Sequence, residues 1–145
     1  MIQKYFLSEI QSLKIAIHTP CIIFLKGDLA SGKTTLSKHI IQNILGVKQE
    51  VTSPTYTYYN KYLVESEDFG SFRKNKKLIN LYHFDLYRLS SYDEFFAIGG
   101  EEILDNNTGI ILIEWPEIIE TYYIPDIEII LKKTGQEDER EIEIR

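Results

Sequence analysis

Cysteine is nearly absent from this sequence. Cys21 is the only one, so no internal disulfide can form, which fits a reducing compartment. It lies in the apolar run Cys21-Ile22-Ile23-Phe24-Leu25 and reads as a small buried core residue, not a reactive thiol. No apolar stretch reaches the roughly 20 residues of a membrane helix. The first residues, Met1 to Ser8, form too short and too polar a segment for a signal peptide. Both absences predict a cytoplasmic protein without membrane contact. Histidine is scarce, three in all, and with one cysteine the donors for a zinc site are lacking. Basic residues are outnumbered, 16 against 22 acidic, for a net charge of −6. Proteins that grip a nucleic-acid backbone usually carry a basic surface, so strong nucleic-acid binding by this chain alone is not expected. Repeats and low-complexity linkers are missing as well.

What is present suits a single domain over residues 1–145. Apolar residues make up 43% and charged residues 26%, and ten Tyr and seven Phe can fill a core without disulfides or a structural metal. Ser8 to Ile17 has mixed helical periodicity and predicts a short helix. Cys21 to Lys26 predicts a buried strand. After a glycine-containing turn, Leu36, Ile40, Ile41, Ile44 and Leu45 fall on one helical face, with Gly46 placed as the cap. Val51 to Leu63 begins as a loop fixed by Pro54 and continues as a strand at Tyr56-Thr57-Tyr58-Tyr59. Glu65 to Lys76 reads as a polar hairpin connection and Lys77 to Asp85 as the next strand. Ser91-Tyr92-Asp93-Glu94 has capping-box spacing and predicts a short helix. Ile110 to Ile113 predicts another buried strand, and Asp126 to Lys132 with Arg140 to Ile144 a closing hairpin around Gly135.

The segment Gly27-Asp28-Leu29-Ala30-Ser31-Gly32-Lys33-Thr34 matches G-x-x-x-x-G-K-[ST] in full. The spacing has a physical reason. The loop must wrap phosphates with its amides pointing inward, and a side chain at either glycine would obstruct that. The helix N-terminus adds unpaired donors and a positive dipole end. Lys33 supplies a charge for the β- and γ-phosphates, Thr34 a hydroxyl ligand for Mg²⁺, and Thr35 is placed toward the α-phosphate. By chance a chain of this size shows the motif on the order of once in a few hundred. Here the strand before it and the amphipathic helix after it supply the required context. The expected class is α/β, P-loop NTPase-like, a mixed β-sheet with flanking helices.

An acid is needed near the metal. Ile110-Ile111-Leu112-Ile113-Glu114 is an apolar strand ending in a carboxylate, the form of a Walker B element with Glu for the commoner Asp. Ligands of open α/β sheets lie at the carboxyl ends of strands, where Glu114 would face the loop. Its alternative is a solvated acid at a strand end. In Tyr82-His83-Phe84-Asp85-Leu86-Tyr87-Arg88, His83 and Asp85 share one face of a strand. That face can serve the metal or the attacking water. The other reading of the segment is a surface Asp–Arg pair closing a strand.

Taken in order, Gly27-Asp28-Leu29, Gly32-Lys33-Thr34-Thr35, Thr52-Ser53-Pro54-Thr55-Tyr56, His83-Phe84-Asp85-Leu86-Tyr87-Arg88-Leu89 and Glu114-Trp115-Pro116-Glu117 resemble the bacterial TsaE (YjeE) family, the ATPase of tRNA threonylcarbamoyladenosine synthesis. The likeness covers nearly the whole chain. It implies ATP and Mg²⁺ as cofactors, with Gly27, Leu29, Ala30, Ser31, Gly32, Lys33, Thr34 and Thr35 around the nucleotide. Thr34 and Glu114 would hold the metal, and Thr55, in a switch-like loop, would lie near the γ-phosphate. Asp85 would orient or activate water. Trp115, Glu117 and Arg140 would lie near the nucleotide. The resemblance also implies two related partner proteins, TsaB and TsaD. On that likeness TsaD would transfer the threonylcarbamoyl group, the ATPase would reset the complex between turnovers, and tRNA would be met only indirectly.

The sequence departs from the family where Ala30-Ser31 replaces Gly-Ala, and Ala30 lacks glycine's freedom at positive φ. The N-terminal helix is also expected to be short. Arg73, Lys74, Lys76 and Lys77 form a local basic patch, either a tRNA contact or a solvated loop. The alternative function is a small P-loop kinase of a metabolite or nucleoside. Such kinases carry an arginine-bearing lid, and no Arg-rich helix occurs late in the chain. A GTPase would want an Asn-Lys-x-Asp segment, which is missing. A scaffold that binds ATP without hydrolysing it is the third possibility.

Overall fold

The computed structural model describes residues 1–54, 56–67 and 76–145. Along the chain run β1 (Ile2–Phe6), β2 (Cys21–Gly27), α1 (Lys33–His39), β3 (Tyr59–Glu67) and β4 (Lys76–Asp85). They are followed by α2 (Tyr92–Ala97), α3 (Gly100–Asp105), β5 (Ile110–Glu114), β6 (Ile127–Lys133) and β7 (Glu139–Ile144). The strands form one seven-stranded sheet in the order β1-β7-β6-β2-β5-β4-β3. Its middle is parallel: β2 pairs with β5 and β6, and β5 with β4. Antiparallel strands flank it on both sides. The fold is therefore α/β with a mixed sheet, as the strand and helix pattern predicts. Among the described residues, no helix is long and apolar enough to cross a membrane.

A central parallel strand is buried on both faces and needs no polar alternation. That is why β2 and β5 read as continuous apolar runs. Their side chains still alternate between two cores. Ile23 and Leu25 of β2, Leu112 of β5 and Leu81 of β4 pack under α1 with Leu36, Ile40 and Ile41. Phe24, Ile111, Ile113 and Phe84 turn to the opposite face and meet Phe95 of α2 and Leu104 of α3. Cys21 is 2% exposed, and its burial, with Asp126 nearby, pushes the thiol up to about 11. It is an inert core residue. Gly109 enters β5 so close to β4 that a Cβ there would sit 2.1 Å from the Asn80 carbonyl oxygen. Only glycine permits that approach.

Several elements differ from expectation. The segment from Ser8 is a 3-10 helix over Leu7–Ser12, and an edge strand precedes it. Leu7, Ile10 and Leu13 repeat every third residue, the period of a 3-10 turn, whereas Leu13, Ile15 and Ile17 repeat every second and run extended. The helix after the glycine turn narrows to α1 and widens into a π turn over Ile40–Ile44 before Gly46 at φ +70°. The aromatic strand starts at Tyr59, not Tyr56, because Tyr58 adopts φ +67° and ends a turn there. α3 was not expected as a separate helix. Gly99, at φ +87°, divides it from α2. The Ser91 cap forms as expected, its Oγ accepting from the Glu94 amide at 3.3 Å.

Candidate functional site

Three parallel strands end together on the α1 side of the sheet. β2 runs into the glycine loop, β5 ends at Glu114 and β4 ends at Asp85, which is the register partner of Glu114. Strand alternation puts His83, Asp85, Leu112 and Glu114 on the face that carries α1. The sheet thus delivers two carboxylates to the start of α1.

The loop is closed by short-range and long-range bonds. The Ser31 amide donates to the Asp28 carbonyl at 3.1 Å, and Gly32, at φ +101°, opens α1. A Cβ on Gly27 would lie 2.6 Å from Ser31 Oγ and 2.9 Å from the Leu131 carbonyl. Both motif glycines are therefore structural requirements of the turn. Ala30 adopts φ +60°, the conformation that its methyl group disfavours by about 1–2 kcal/mol. Arg140 supports the loop from β7: Nε donates to the Ser31 carbonyl at 2.8 Å, and a terminal nitrogen donates to the Glu137 and Glu139 carbonyls at 2.7 and 2.9 Å.

Lys33 is 5% exposed. Its Nζ donates to the Gly27 and Asp28 carbonyls of its own loop and lies 4.1 Å from the centroid of the Trp115 ring. Burial pushes the ammonium below its ordinary pKa, while the carboxylates of Glu114, Glu117, Asp28 and Asp85 pull it upward. Glu114 is 2% exposed and gripped by three donors: Thr34 Oγ1 at 3.4 Å, Ser37 Oγ at 3.1 Å and His83 Nε2 at 2.6 Å. Asp85 is 8% exposed, and its Oδ1 accepts from the Tyr87 amide at 3.1 Å. The Asp85 amide donates to the Tyr58 carbonyl, tying the end of β4 to the loop that follows Pro54.

Trp115 follows β5 in the left-handed region at φ +57°. A residue before proline is normally extended, so this backbone is strained, at a cost of about 1–3 kcal/mol. With this backbone the indole lies over Lys33 and against Tyr87, the two ring centroids 4.8 Å apart. A cleft of about 540 Å³ results, within the size range of small-molecule sites. It is lined by Leu29, Ala30, Gly32, Lys33, Thr34, Thr35, Asp85, Glu114, Trp115 and Arg140, all expected from the sequence, together with Leu7 and Tyr87. Gly27 and Ser31 stand behind the lining. Glu117 is exposed on the 3-10 turn Pro116–Ile118 and does not line the cleft. Thr55 lies outside the described residues, as do Arg73 and Lys74 of the basic patch. Among the described residues, no three or more His, Cys, Asp and Glu side chains gather to hold a metal. A cation here would take most of its ligands from a bound molecule and water.

Tyr87 could have been found: it sits in the segment His83 to Arg88, one residue beyond Leu86 and on the rim side. Leu7 carried no local signal. It reaches the cleft because β1 pairs with β7 and because the Leu7 amide donates to the Asp138 carbonyl at 2.8 Å.

The sequence profile of the family described as threonylcarbamoyl adenosine biosynthesis protein TsaE matches residues 5–142. The chain belongs to the TsaE family. The TsaE of Haemophilus influenzae is 33% identical over 132 residues, 91% of this chain and 74% of the relative. That of Rickettsia typhi is 37% identical over 112 residues, covering 77% and 68% of the two chains. The TsaE of Borreliella burgdorferi is 45% identical over 97 residues, 67% of this chain and 61% of the relative. Among solved structures, the crystal structure of Bacillus subtilis YdiB superposes with a TM-score of 0.60 at 29% identity, covering 98% of this chain and 83% of that one. The curated TsaE relatives are tRNA threonylcarbamoyladenosine biosynthesis proteins. Membership thus ties this chain to that biosynthesis.

Proposed function

We propose that this chain binds ATP with Mg²⁺ in the cleft and hydrolyses it, serving threonylcarbamoyladenosine modification of tRNA with homologues of TsaB and TsaD. The observation that carries the reading is the convergence of Thr34 and Glu114 at the mouth of a complete phosphate-binding loop. Thr34 Oγ1 and Glu114 Oε1 are hard oxygen donors 3.4 Å apart. Neighbouring ligands of an octahedral Mg²⁺ lie about 3 Å apart, so the pair fits that ion. Mg²⁺ characteristically takes one or two protein ligands and fills the rest with phosphate and water.

The chain's own residues supply the rest. The loop amides and the start of α1 cradle phosphate oxygens. Lys33, whose Nζ is folded into the loop against the Gly27 and Asp28 carbonyls, would turn that charge to the phosphates. Trp115 and Tyr87 wall the cleft against water. The bound Mg²⁺ would neutralise charge building on the terminal phosphates. Asp85, at the end of β4, accepts the proton of the attacking water or holds that water in line. Thr55 would sit near the γ-phosphate, and Glu117 near the nucleotide from outside the lining. The acidic net charge of −6 supports reaching tRNA through partners. Hydrolysis in an assembly fits a role in resetting it, and a cytoplasmic setting follows from that role.

Phosphate release from ATP–Mg²⁺ tests the reading. The isolated protein should release phosphate slowly, and the complex with TsaB and TsaD homologues faster. Arg140, which lines the cleft, is committed to backbone carbonyls, and an arginine supplied in trans can accelerate phosphoryl transfer by about 10³-fold or more. Equal rates with and without the partners would contradict the assembly. Transfer to an acceptor with little free phosphate would make the protein a kinase.

A further inference from the structure

Two of the three donors on Glu114, Ser37 and His83, lie outside the phosphate-binding motif, and His83 comes from a different strand altogether. His83 is 1% exposed, and its Nε2 lies 2.6 Å from Glu114 Oε2. Ser37 Oγ donates to the same oxygen at 3.1 Å, while Thr34 Oγ1 faces Oε1 at 3.4 Å. A carboxylate oxygen accepts and an imidazole N–H donates, so the contact is a bond from Nε2–H to Oε2. His83 Nδ1 is buried with no hydrogen-bond partner. The ring therefore makes one polar contact, the one to Glu114. The two oxygens of Glu114 are thereby divided. Oε2 is taken up by the protein, and Oε1 is left beside Thr34.

We propose that His83 is a positioning residue, which holds Glu114 so that Oε1 alone is presented with Thr34 to the Mg²⁺ of the bound nucleotide. The proposal rests on the reading of the cleft as an ATP–Mg²⁺ site. The fold explains how the ring gets there. Asp85 is the register partner of Glu114 across β4 and β5, and His83 stands two residues earlier on the same face. The parallel pairing sets the imidazole beneath the carboxylate. Buried at that depth, the ring does not line the cleft and acts only through Glu114. Glutamate has three side-chain torsions. Without the ring, Oε2 would keep only Ser37, and the carboxylate could rotate away from Thr34. Losing such an outer partner of a metal ligand typically weakens metal binding by about 10- to 100-fold.

The test compares His83→Leu with His83→Gln, whose amide nitrogen can reach the place of Nε2 and keep the donor. Mn²⁺ binding to the ADP-loaded protein is read by electron paramagnetic resonance. ADP affinity in EDTA is read by calorimetry, and stability by urea unfolding. His83→Leu should weaken Mn²⁺ by about 10- to 100-fold while metal-free ADP affinity stays within about twofold, and His83→Gln should recover most of the loss. Native Mn²⁺ affinity in His83→Leu would overturn the proposal. So would equal losses in Leu and Gln, or a metal-free affinity that falls in parallel, since a merely structural histidine would produce those. If His83→Leu does not fold, His83→Asn, whose shorter amide cannot reach the place of Nε2, should weaken Mn²⁺ by the same factor, and native Mn²⁺ affinity in a folded His83→Asn protein overturns the proposal too. If the native protein binds ADP equally in EDTA and Mn²⁺, the metal-nucleotide reading falls first and takes this proposal with it.

Discussion

Arg140→Ala removes the tie between the last hairpin and the phosphate loop. Arg140 is 8% exposed and spends three N–H bonds on backbone carbonyls. Two of those carbonyls are local, Glu137 in the turn before β7 and Glu139 at the first residue of β7, and can be reached by water once the side chain is gone. The third, Ser31, is buried and belongs to the loop itself. A hydrogen bond to a charged donor contributes about 1.5–3 kcal/mol, and an orphaned buried carbonyl costs a similar amount. Allowing for water at the two local sites, Arg140→Ala should cost about 2–4 kcal/mol. In a domain of this size that lowers Tm by about 5–12 °C. Arg140→Lys should recover less than half, because an ammonium cannot fork toward carbonyls on two sides as a guanidinium does. Urea unfolding gives the stability, and ATP titration followed by Trp115 emission gives the affinity, expected to weaken about tenfold, close to 1.4 kcal/mol. A folded Arg140→Ala protein with native stability would refute the clamp. If that protein also lost ATP affinity, Arg140 would be a direct nucleotide contact and not a support.

Asp85→Asn should lower hydrolysis far more than binding, by about 10²- to 10⁴-fold in turnover; normal turnover with weakened ATP affinity would move Asp85 to a binding role. Trp115 is the only tryptophan and touches both Lys33 and Tyr87, so ATP–Mg²⁺ should give a saturable change in its emission. Calorimetric binding with constant emission would separate the indole from the nucleotide. Leu36→Ala, at the centre of the α1 core with 0% exposure, should cost about 2–5 kcal/mol, read by urea unfolding; a loss under about 1 kcal/mol would mean that α1 is not packed as described.

The central strands and the loop were legible because their signals are local. Apolar runs without alternation specify buried parallel strands, and the glycine spacing specifies a turn whose crowding at Gly27 leaves no room for a side chain. Glu114 and Asp85 could be placed because strand ends converge in this class of sheet. The pieces that were not legible depend on distant partners. β1 forms only against β7, from the other end of the chain. Leu7 enters the cleft through that pairing, and Arg140 proved to hold Ser31, a contact that no sequence window contains. His83 and Ser37 look like an ordinary core histidine and a helix serine until β4, β5 and α1 bring them to one carboxylate. Ala30 was the informative exception, since the expected conflict with positive φ is present as φ +60°. The loop bears that conformation because Arg140 and the Asp28–Ser31 turn fix it from both sides.

Lys33 is the most direct point of test. On the proposed reading it is the side-chain cation of the motif that would meet the terminal phosphates, and its Nζ lies within the loop. ATP–Mg²⁺ binding by calorimetry and phosphate release should be measured side by side for the native protein and Lys33→Ala, with urea unfolding to establish that both are folded. The account predicts a folded Lys33→Ala protein that has lost productive ATP binding and hydrolysis. A folded Lys33→Ala protein that binds and hydrolyses ATP at the native level would contradict it.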